Sequence, residues 1–88
     1  MPEVSITVNC FNESQYVRET LDSAFAQTFQ DWEIIFWDNA SVDDSAEIAA
    51  SYGDRVHCFS NDTNIPLSQA RNRAFKMAQG RYLAILDA

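Results

Sequence analysis

Three observations predict an α/β fold for this 88-residue chain, a three-layer sandwich with a parallel sheet in the order βαβαβαβ. Short β-type runs alternate with segments of helical periodicity, which is the pattern of repeated βαβ units with right-handed crossovers. The central run, EIIFWD, is almost continuously apolar, as expected of a strand covered on both faces. Both glycines of the chain, Gly53 and Gly80, follow helical segments.

The first β–α unit begins with residues 4–9, VSITVN, where β-branched residues predict a strand. Asn12 is a preferred helix N-cap residue and precedes a segment with helical spacing. We expect a helix after Asn12 that buries the apolar side chains of this segment, Val17, Leu21, Ala24 and Phe25.

The second unit begins with a predicted strand over residues 33–38. Ser41, with Asp44 three residues later, resembles a capping box at the start of a short helix. This helix is expected to run through Tyr52, and Gly53 to end it.

The last part of the chain contains a third strand over residues 55–60, a polar loop NDTNIP and a third helix over residues 67–79. Gly80 ends this helix, and residues 82–86 form the fourth strand. The third helix has an inner face of Ala70, Ala74, Phe75 and Ala78. With 47% hydrophobic residues and no linker, residues 1–88 are predicted to form one domain.

The net charge of −7, with 13 acidic against 6 basic residues, argues against a nucleic-acid partner. Such a partner needs a stripe of basic residues that displaces the counterions of its phosphates, and the basic residues here form none. An acidic protein still binds a phosphorylated ligand when a divalent cation supplies the positive charge. The charge therefore leaves metal-bridged nucleotides open.

No apolar run approaches the roughly 20 residues of a membrane helix, and the N-terminus has no basic, signal-like region. We expect a cytoplasmic protein that has no transmembrane segment. Peripheral association with the inner face of the membrane fits this expectation. Cys10 and Cys58 are predicted to be reduced thiols rather than a disulfide, and the single histidine, His57, a surface residue of a strand.

Polar side chains follow three of the predicted strands. The first strand leads into NCFNE, the second ends on Asp38 and Asn39, and the fourth leads to Asp87. In open parallel sheets, ligands bind at the carboxyl ends of the strands. The sequence therefore predicts a polar site at this edge of the sheet.

The glycine content limits the chemistry of that site. Dinucleotide-binding and P-loop motifs need several glycines, so that backbone amides approach the phosphates, and this chain has two glycines in total. Neither motif is present. Without such a loop, a nucleotide diphosphate must be held through a metal on carboxylates.

Three segments, in this order, carry a known pattern: VSITVNCFNE, LDSAFAQTFQDWEIIFWDNASVDDS and NIPLSQARNRAFKMAQGRYLAILDA. The chain resembles the family 2 glycosyltransferases, which are inverting enzymes of the GT-A fold, along essentially its whole length. The resemblance implies that the predicted sheet is the Rossmann-like, nucleotide-binding half of that fold.

The resemblance also implies roles for individual residues. Phe11 takes the aromatic position that packs against the nucleotide base, and Asn9 and Glu13 help to frame base and ribose. Asp38 and Asn39 match paired aspartates, one of which hydrogen-bonds the base, typically uracil. Asn39 departs from the family pattern, since its amide accepts from an imide N–H but also donates to a ring carbonyl. Simpler alternatives are that Phe11 anchors its loop and that Asp38 caps the next turn.

On the phosphate side, Arg71 lies in the Ala-Arg-Asn segment that lines the family's nucleotide pocket. Its alternative is a structural ion pair with Asp38 or Asp87. Asp87 matches the first aspartate of a D-x-D motif that contacts the ribose and a Mg²⁺ or Mn²⁺ ion on the diphosphate. Ala88 matches the second position. The resemblance therefore places the other aspartate, the acceptor-binding half and the catalytic base outside these residues, and we predict no catalytic residue among them.

The predicted function is transfer of a sugar from a nucleotide-diphosphate sugar, typically a UDP-sugar, to the hydroxyl of a glycan or lipid-linked acceptor, with inversion, in polysaccharide or cell-envelope glycan synthesis. The 88 residues alone are expected to be inactive. The alternative is a noncatalytic nucleotide-binding or assembly module with a decayed site. A nucleotidyltransferase is disfavoured, because NCFNES is neither glycine-rich nor basic.

The fourth strand, YLAIL, is predicted to leave a sheet edge that pairs with a second copy or exchanges strands. Size-exclusion chromatography that shows only a monomer at all concentrations would contradict this expectation.

Overall fold

The structure, a computed structural model, describes residues 2–86 of the chain. Strands and helices alternate in the predicted order. The strands are Val4–Cys10 (β1), Trp32–Asp38 (β2), Val56–Ser60 (β3) and Tyr82–Ile85 (β4). The helices are Ser14–Phe25 (α1), Ser45–Ala50 (α2) and Leu67–Met77 (α3).

The four strands form one parallel sheet in the order β3-β2-β1-β4. Strands β1, β2 and β3 follow one another toward one edge of the sheet, and β4 then pairs with the other side of β1. Strands β1 and β2 therefore occupy the centre. The register places Cys10 opposite Asp38 at the carboxyl ends of the two central strands. This topology confirms the predicted α/β fold and defines the edge at which a ligand site is expected.

The sheet separates two apolar layers. On one face, Ile34 and Phe36 of β2 pack with buried residues of α1 and α2, among them Leu21 and Ala49. On the other face, Ile35 and Trp37 pack with residues of α3, Ala70 and Ala74. All seven residues of β2 are buried, which explains why its sequence is almost continuously apolar rather than alternating.

The two predicted helix starts are wrong. Helix α1 begins at Ser14, and Asn12 instead adopts a left-handed conformation (φ 51°) in which its Oδ1 accepts a hydrogen bond from Val42 N at 2.8 Å. Helix α2 begins at Ser45 rather than after Ser41, whose Oγ accepts from Asn12 N at 2.9 Å. Both side chains therefore join two loops instead of capping their own helices.

The other boundaries differ by a few residues. Helix α2 ends at Ala50 rather than near Tyr52, and α3 ends at Met77 rather than at Gln79. Arg55 precedes β3 instead of starting it. Its guanidinium lies over the Trp32 ring, 3.6 Å from the centroid.

The amino end of the sheet contains a polar cluster around two buried residues, Ser5 and Glu33. We call it the amino-end cluster, and its other members are Gln79 and Gly80. Ser5 Oγ donates to Glu33 Oε2 at 2.5 Å. The same carboxylate oxygen accepts from Gln79 N at 2.8 Å, and Ser5 Oγ accepts from Gly80 N at 2.8 Å. These bonds attach the turn between α3 and β4 to the two central strands.

Strand β4 pairs with β1 and, among the described residues, has no strand on its other side. Its apolar side chains are largely exposed, at 58% for Tyr82 and 54% for Ile85. Pairing of this edge with another chain stays a prediction. In residues 2–86, no helix is long and apolar enough to cross a bilayer.

Candidate nucleotide site

A cavity of about 390 Å³ opens at the carboxyl ends of β1 and β2. Three chain segments form its walls: the end of β1 with the loop that follows it, the residue after β2, and the segment that leads into α3. The described lining residues are Asn9, Cys10, Phe11, Glu13, Asn39, Asn64, Ile65, Pro66 and Leu67. The size is in the range of small-molecule sites, although it is at the lower end.

Four of the residues predicted for the site line this one cavity: Asn9, Phe11, Glu13 and Asn39. The wall formed by residues 64–67 was missed, because nothing in NDTNIP beyond its polarity indicates a ligand. The topology contained the signal, since the loop after β3 leaves the same edge of the sheet as the loops after β1 and β2.

Phe11 presents an aromatic ring at the cavity, with 46% of the residue exposed. Its loop is held against the loop between β2 and α2 by three hydrogen bonds. Two involve Asn12, as described above, and in the third Ser14 N donates to Asp43 Oδ2 at 3.2 Å. These hydrogen bonds hold the loop in place without burial of the Phe11 ring, and the exposed face of the ring is available for stacking.

Asp43 lies at the start of α2, where a negative charge is favoured by the helix dipole. The Ser45 hydroxyl donates to its carboxylate at 2.5 Å, and this bond, with those from the Ser45 and Ser14 amides, lowers the pKa of Asp43. Asp43 is therefore held by hydrogen bonds from both loops that it joins.

Asn39 connects two walls of the cavity. Its side-chain Nδ2 donates to Ile65 O at 2.7 Å, and its Oδ1 accepts from Ile65 N at 2.9 Å. Its own backbone N donates to Cys10 O at 2.8 Å, which joins the ends of β1 and β2. Asn39 is buried, with 6% of the residue exposed.

The electrostatics of the cavity fit a nucleoside better than a bare phosphate. Among the described lining residues, Glu13 carries the only formal charge. Amide, aromatic and carboxylate groups suit a base and ribose hydroxyls, whereas a diphosphate needs positive charge from elsewhere. This combination agrees with the expectation that a cation accompanies the phosphates.

The model of the family described as "Glycosyl transferase family 2" matches residues 5–88 of the chain. The chain belongs to this family. Among its relatives, the Escherichia coli UDP-Glc:alpha-D-GlcNAc-diphosphoundecaprenol beta-1,3-glucosyltransferase WfaP is 38% identical over 89 residues, which cover 100% of this chain and 36% of WfaP. The Bacillus subtilis glycosyltransferase EpsJ is 37% identical over 93 residues, which cover 99% of this chain and 26% of EpsJ.

Solved structures share the fold of this chain. S. aureus TarS 1-349 superimposes with a TM-score of 0.91, at 27% identity over 97% of this chain and 27% of that one. The same protein in complex with UDP-GlcNAc gives a TM-score of 0.89. The chain thus spans about a third or less of the length of the relatives described here, and the Rossmann-like half of the GT-A fold is confirmed.

Two further positions of the family 2 pattern, Asp38 and Arg71, are not among the described lining residues. Asp38 is buried (6% exposed), and its Oδ1 has no hydrogen-bond partner among residues 2–86. It lies near Cys10: burial raises the pKa of the Cys10 thiol, and the Asp38 carboxylate raises it further, against lowering by the Ser45 hydroxyl. Arg71 lies on α3 beside the buried Ala70, and its side chain is partly buried.

The predicted metal ligand of this family 2 chain, Asp87, and the neighbouring Ala88 lie outside the described residues. Within the described part of the chain, no group of three or more histidine, cysteine, aspartate or glutamate side chains is placed to hold a metal ion.

Proposed function

We propose that this family 2 domain binds the nucleoside part of a nucleotide-diphosphate sugar, a UDP-sugar, in the cavity at the carboxyl ends of β1 and β2. The observation that carries the proposal is the convergence of Asn9, Phe11, Glu13 and Asn39 on one cavity. The complex of TarS with UDP-GlcNAc supports it, because that protein shares the fold at 27% identity.

Each wall has a chemical role in this proposal. The exposed face of Phe11 stacks on the base, a contact that tolerates any base and contributes about 1–3 kcal/mol. Glu13, whose carboxylate only accepts hydrogen bonds, receives them from the ribose hydroxyls. Asn9 and the residues around Ile65 close the sides. Asp38 and Arg71 complete the donor site from behind the lining.

For the protein that contains this domain, we propose transfer of the sugar to an acceptor hydroxyl, on a glycan or a lipid-linked glycan, with inversion at the anomeric carbon. Mg²⁺ or Mn²⁺, held with Asp87, would neutralise the diphosphate leaving group. A carboxylate outside these 88 residues would deprotonate the acceptor. Polysaccharide or cell-envelope glycan synthesis is the proposed setting, and the 88 residues alone bind without transferring.

Calorimetric titration with UDP, GDP and dTDP, each with and without Mn²⁺, tests the proposal. UDP is expected to bind best, and Mn²⁺ to strengthen binding. Phe11→Ala should weaken UDP binding by about five-fold to a hundred-fold, the equivalent of one stacking contact.

Phe29→Ala is the matched control, because Phe29 is also about half exposed (51%) but lines a different groove, beside β4. It should leave UDP binding unchanged. Equal losses in the two variants, or binding that depends on neither the base nor the metal, would contradict the proposed function.

A further inference from the structure

The resemblance to family 2 implies an aspartate that hydrogen-bonds the base at the position of Asn39, but the Asn39 side chain already has hydrogen-bond partners within the chain. The amide oxygen has two lone pairs. It receives one hydrogen bond from Ile65 N, as described above, and another from Asn61 Nδ2 at 2.8 Å. Both acceptor positions are therefore occupied by the loop after β3.

The orientation of this amide is determined by its backbone partners. Ile65 N only donates and Ile65 O only accepts, so Oδ1 must face the former and Nδ2 the latter. A flipped amide would place donor against donor and acceptor against acceptor. The side chain thus pairs with both polar groups of one residue in the cavity wall.

The same loop is attached to the strand end at further points. Asn64 Nδ2 donates to Asn39 O at 3.1 Å. Trp37 Nε1 donates to Asn61 Oδ1 at 2.6 Å, and the Trp37 ring stacks on Phe59, 5.8 Å between centroids. The loop that begins at Asn61 leads directly into Ile65, Pro66 and Leu67 of the lining. The position of this wall therefore depends on Asn39 and Asn61.

We infer that Asn39 positions the cavity wall formed by residues 64–67 and does not read the base through its oxygen. The inference rests on the proposed function, because it concerns how the same cavity selects its nucleotide. The imide N–H of uracil needs an acceptor, and Asn39 Oδ1 has no lone pair left for it. A carboxylate at this position would accept from Ile65 N but could not donate to Ile65 O.

Asn39→Asp gives opposite results under the two interpretations. If Asn39 positions the wall, the variant places a charged acceptor against Ile65 O, loosens the wall and weakens UDP binding by about ten-fold or more. If residue 39 hydrogen-bonds the imide, the variant supplies a stronger acceptor for it, and UDP binds more tightly. Tighter binding would overturn the inference.

Asn39→Ala separates the two roles by comparing UDP with CDP, whose cytosine has no imide N–H. Loss of the wall should lower both affinities by the same factor. A loss confined to UDP would show that the side chain reads the base, and would overturn the inference. Gln15→Glu, at an exposed position of α1, controls for the added charge of Asn39→Asp and should leave both affinities unchanged.

Amide hydrogen exchange provides a readout that does not require a nucleotide. The Ile65 amide donates to Asn39 Oδ1 and should be protected in the wild type. Its exchange should accelerate in Asn39→Ala more than that of amides in α1. An unchanged rate would overturn the inference. Absence of nucleotide binding by the wild type would contradict the proposed function instead, and the exchange rates would still decide the role of Asn39.

Discussion

The two ends of the sheet use buried polar residues in opposite ways. At the amino end, Ser5 of β1 and Glu33 of β2 hydrogen-bond each other and the turn before β4, so that the buried carboxylate has partners on both oxygens. At the carboxyl end, Asp38 of the same β2 strand has a buried oxygen without a partner among residues 2–86, and a cavity opens beside it.

This difference separates stability from function. A buried polar group with all its hydrogen bonds helps to hold a fold, whereas one without a partner costs free energy and is typical of sites that await a ligand. The amino-end cluster attaches the start of β4 to the two central strands, whereas the carboxyl end contains the proposed nucleotide site. Substitutions at the two ends should therefore differ in their effect on stability.

Gly80→Ala should have the largest effect, because Gly80 lies directly on β1. A Cβ at this position would be 2.6 Å from Ser5 N and 2.8 Å from Val4 C, both backbone atoms that cannot rotate away. The start of β4 must move, and we expect a loss of about 2–3 kcal/mol in the free energy of unfolding, measured by urea denaturation.

Gly53→Ala is the matched control for this prediction. Gly53 has a φ of +91°, but no atom lies within 4 Å of a Cβ built there. Its replacement should cost only the backbone strain, about 1 kcal/mol. A Gly80→Ala variant that loses no more than Gly53→Ala would show that the close packing of β4 on β1 is not a source of stability.

Glu33→Gln and Asp38→Asn form the second, smaller test, since both remove one buried charge from β2. Glu33 loses charge-assisted bonds from Ser5 and Gln79 and its contact with His57 Nε2 (3.3 Å), so we expect about 1–2 kcal/mol of destabilisation. Asp38→Asn loses no hydrogen bond at Oδ1, and should cost less than about 1 kcal/mol. The reverse order of the two losses would contradict the contrast between the ends.

The fold could be predicted from the sequence because its signals are local. The buried run of β2 and the inner face of α3 each lie within one element. The run of β2 was confirmed, and so were Ala70 and Ala74 of α3, whereas Phe75 is only partly buried and Ala78 follows the end of the helix. The partners of Glu33 could not be predicted, since they lie 28 and 46 residues away, at Ser5 and Gln79. Its sequence position suggested only the polar start of a strand.

The candidate site was predicted in the same partial way. The resemblance to a family placed Phe11 and Asn39 at the cavity, where the structure has them. It could not show that Asn39 hydrogen-bonds to Ile65, nor that Asn12 joins two loops instead of capping α1. Such bonds form between segments that meet only in the folded chain. The side chain of an asparagine can cap a helix or join two loops equally well, so the sequence does not decide between them.

Amide NMR spectra recorded during titration with UDP and Mn²⁺ test the central claim most directly, because they report on both ends of the sheet in one experiment. Nucleotide binding at the carboxyl end should shift the signals of the Phe11, Asn39 and Ile65 amides and leave those of Ser5 and Glu33 unchanged. Shifts centred on Ser5 and Glu33, or none around the cavity at saturating UDP, would contradict the assignment of nucleotide binding to the carboxyl end.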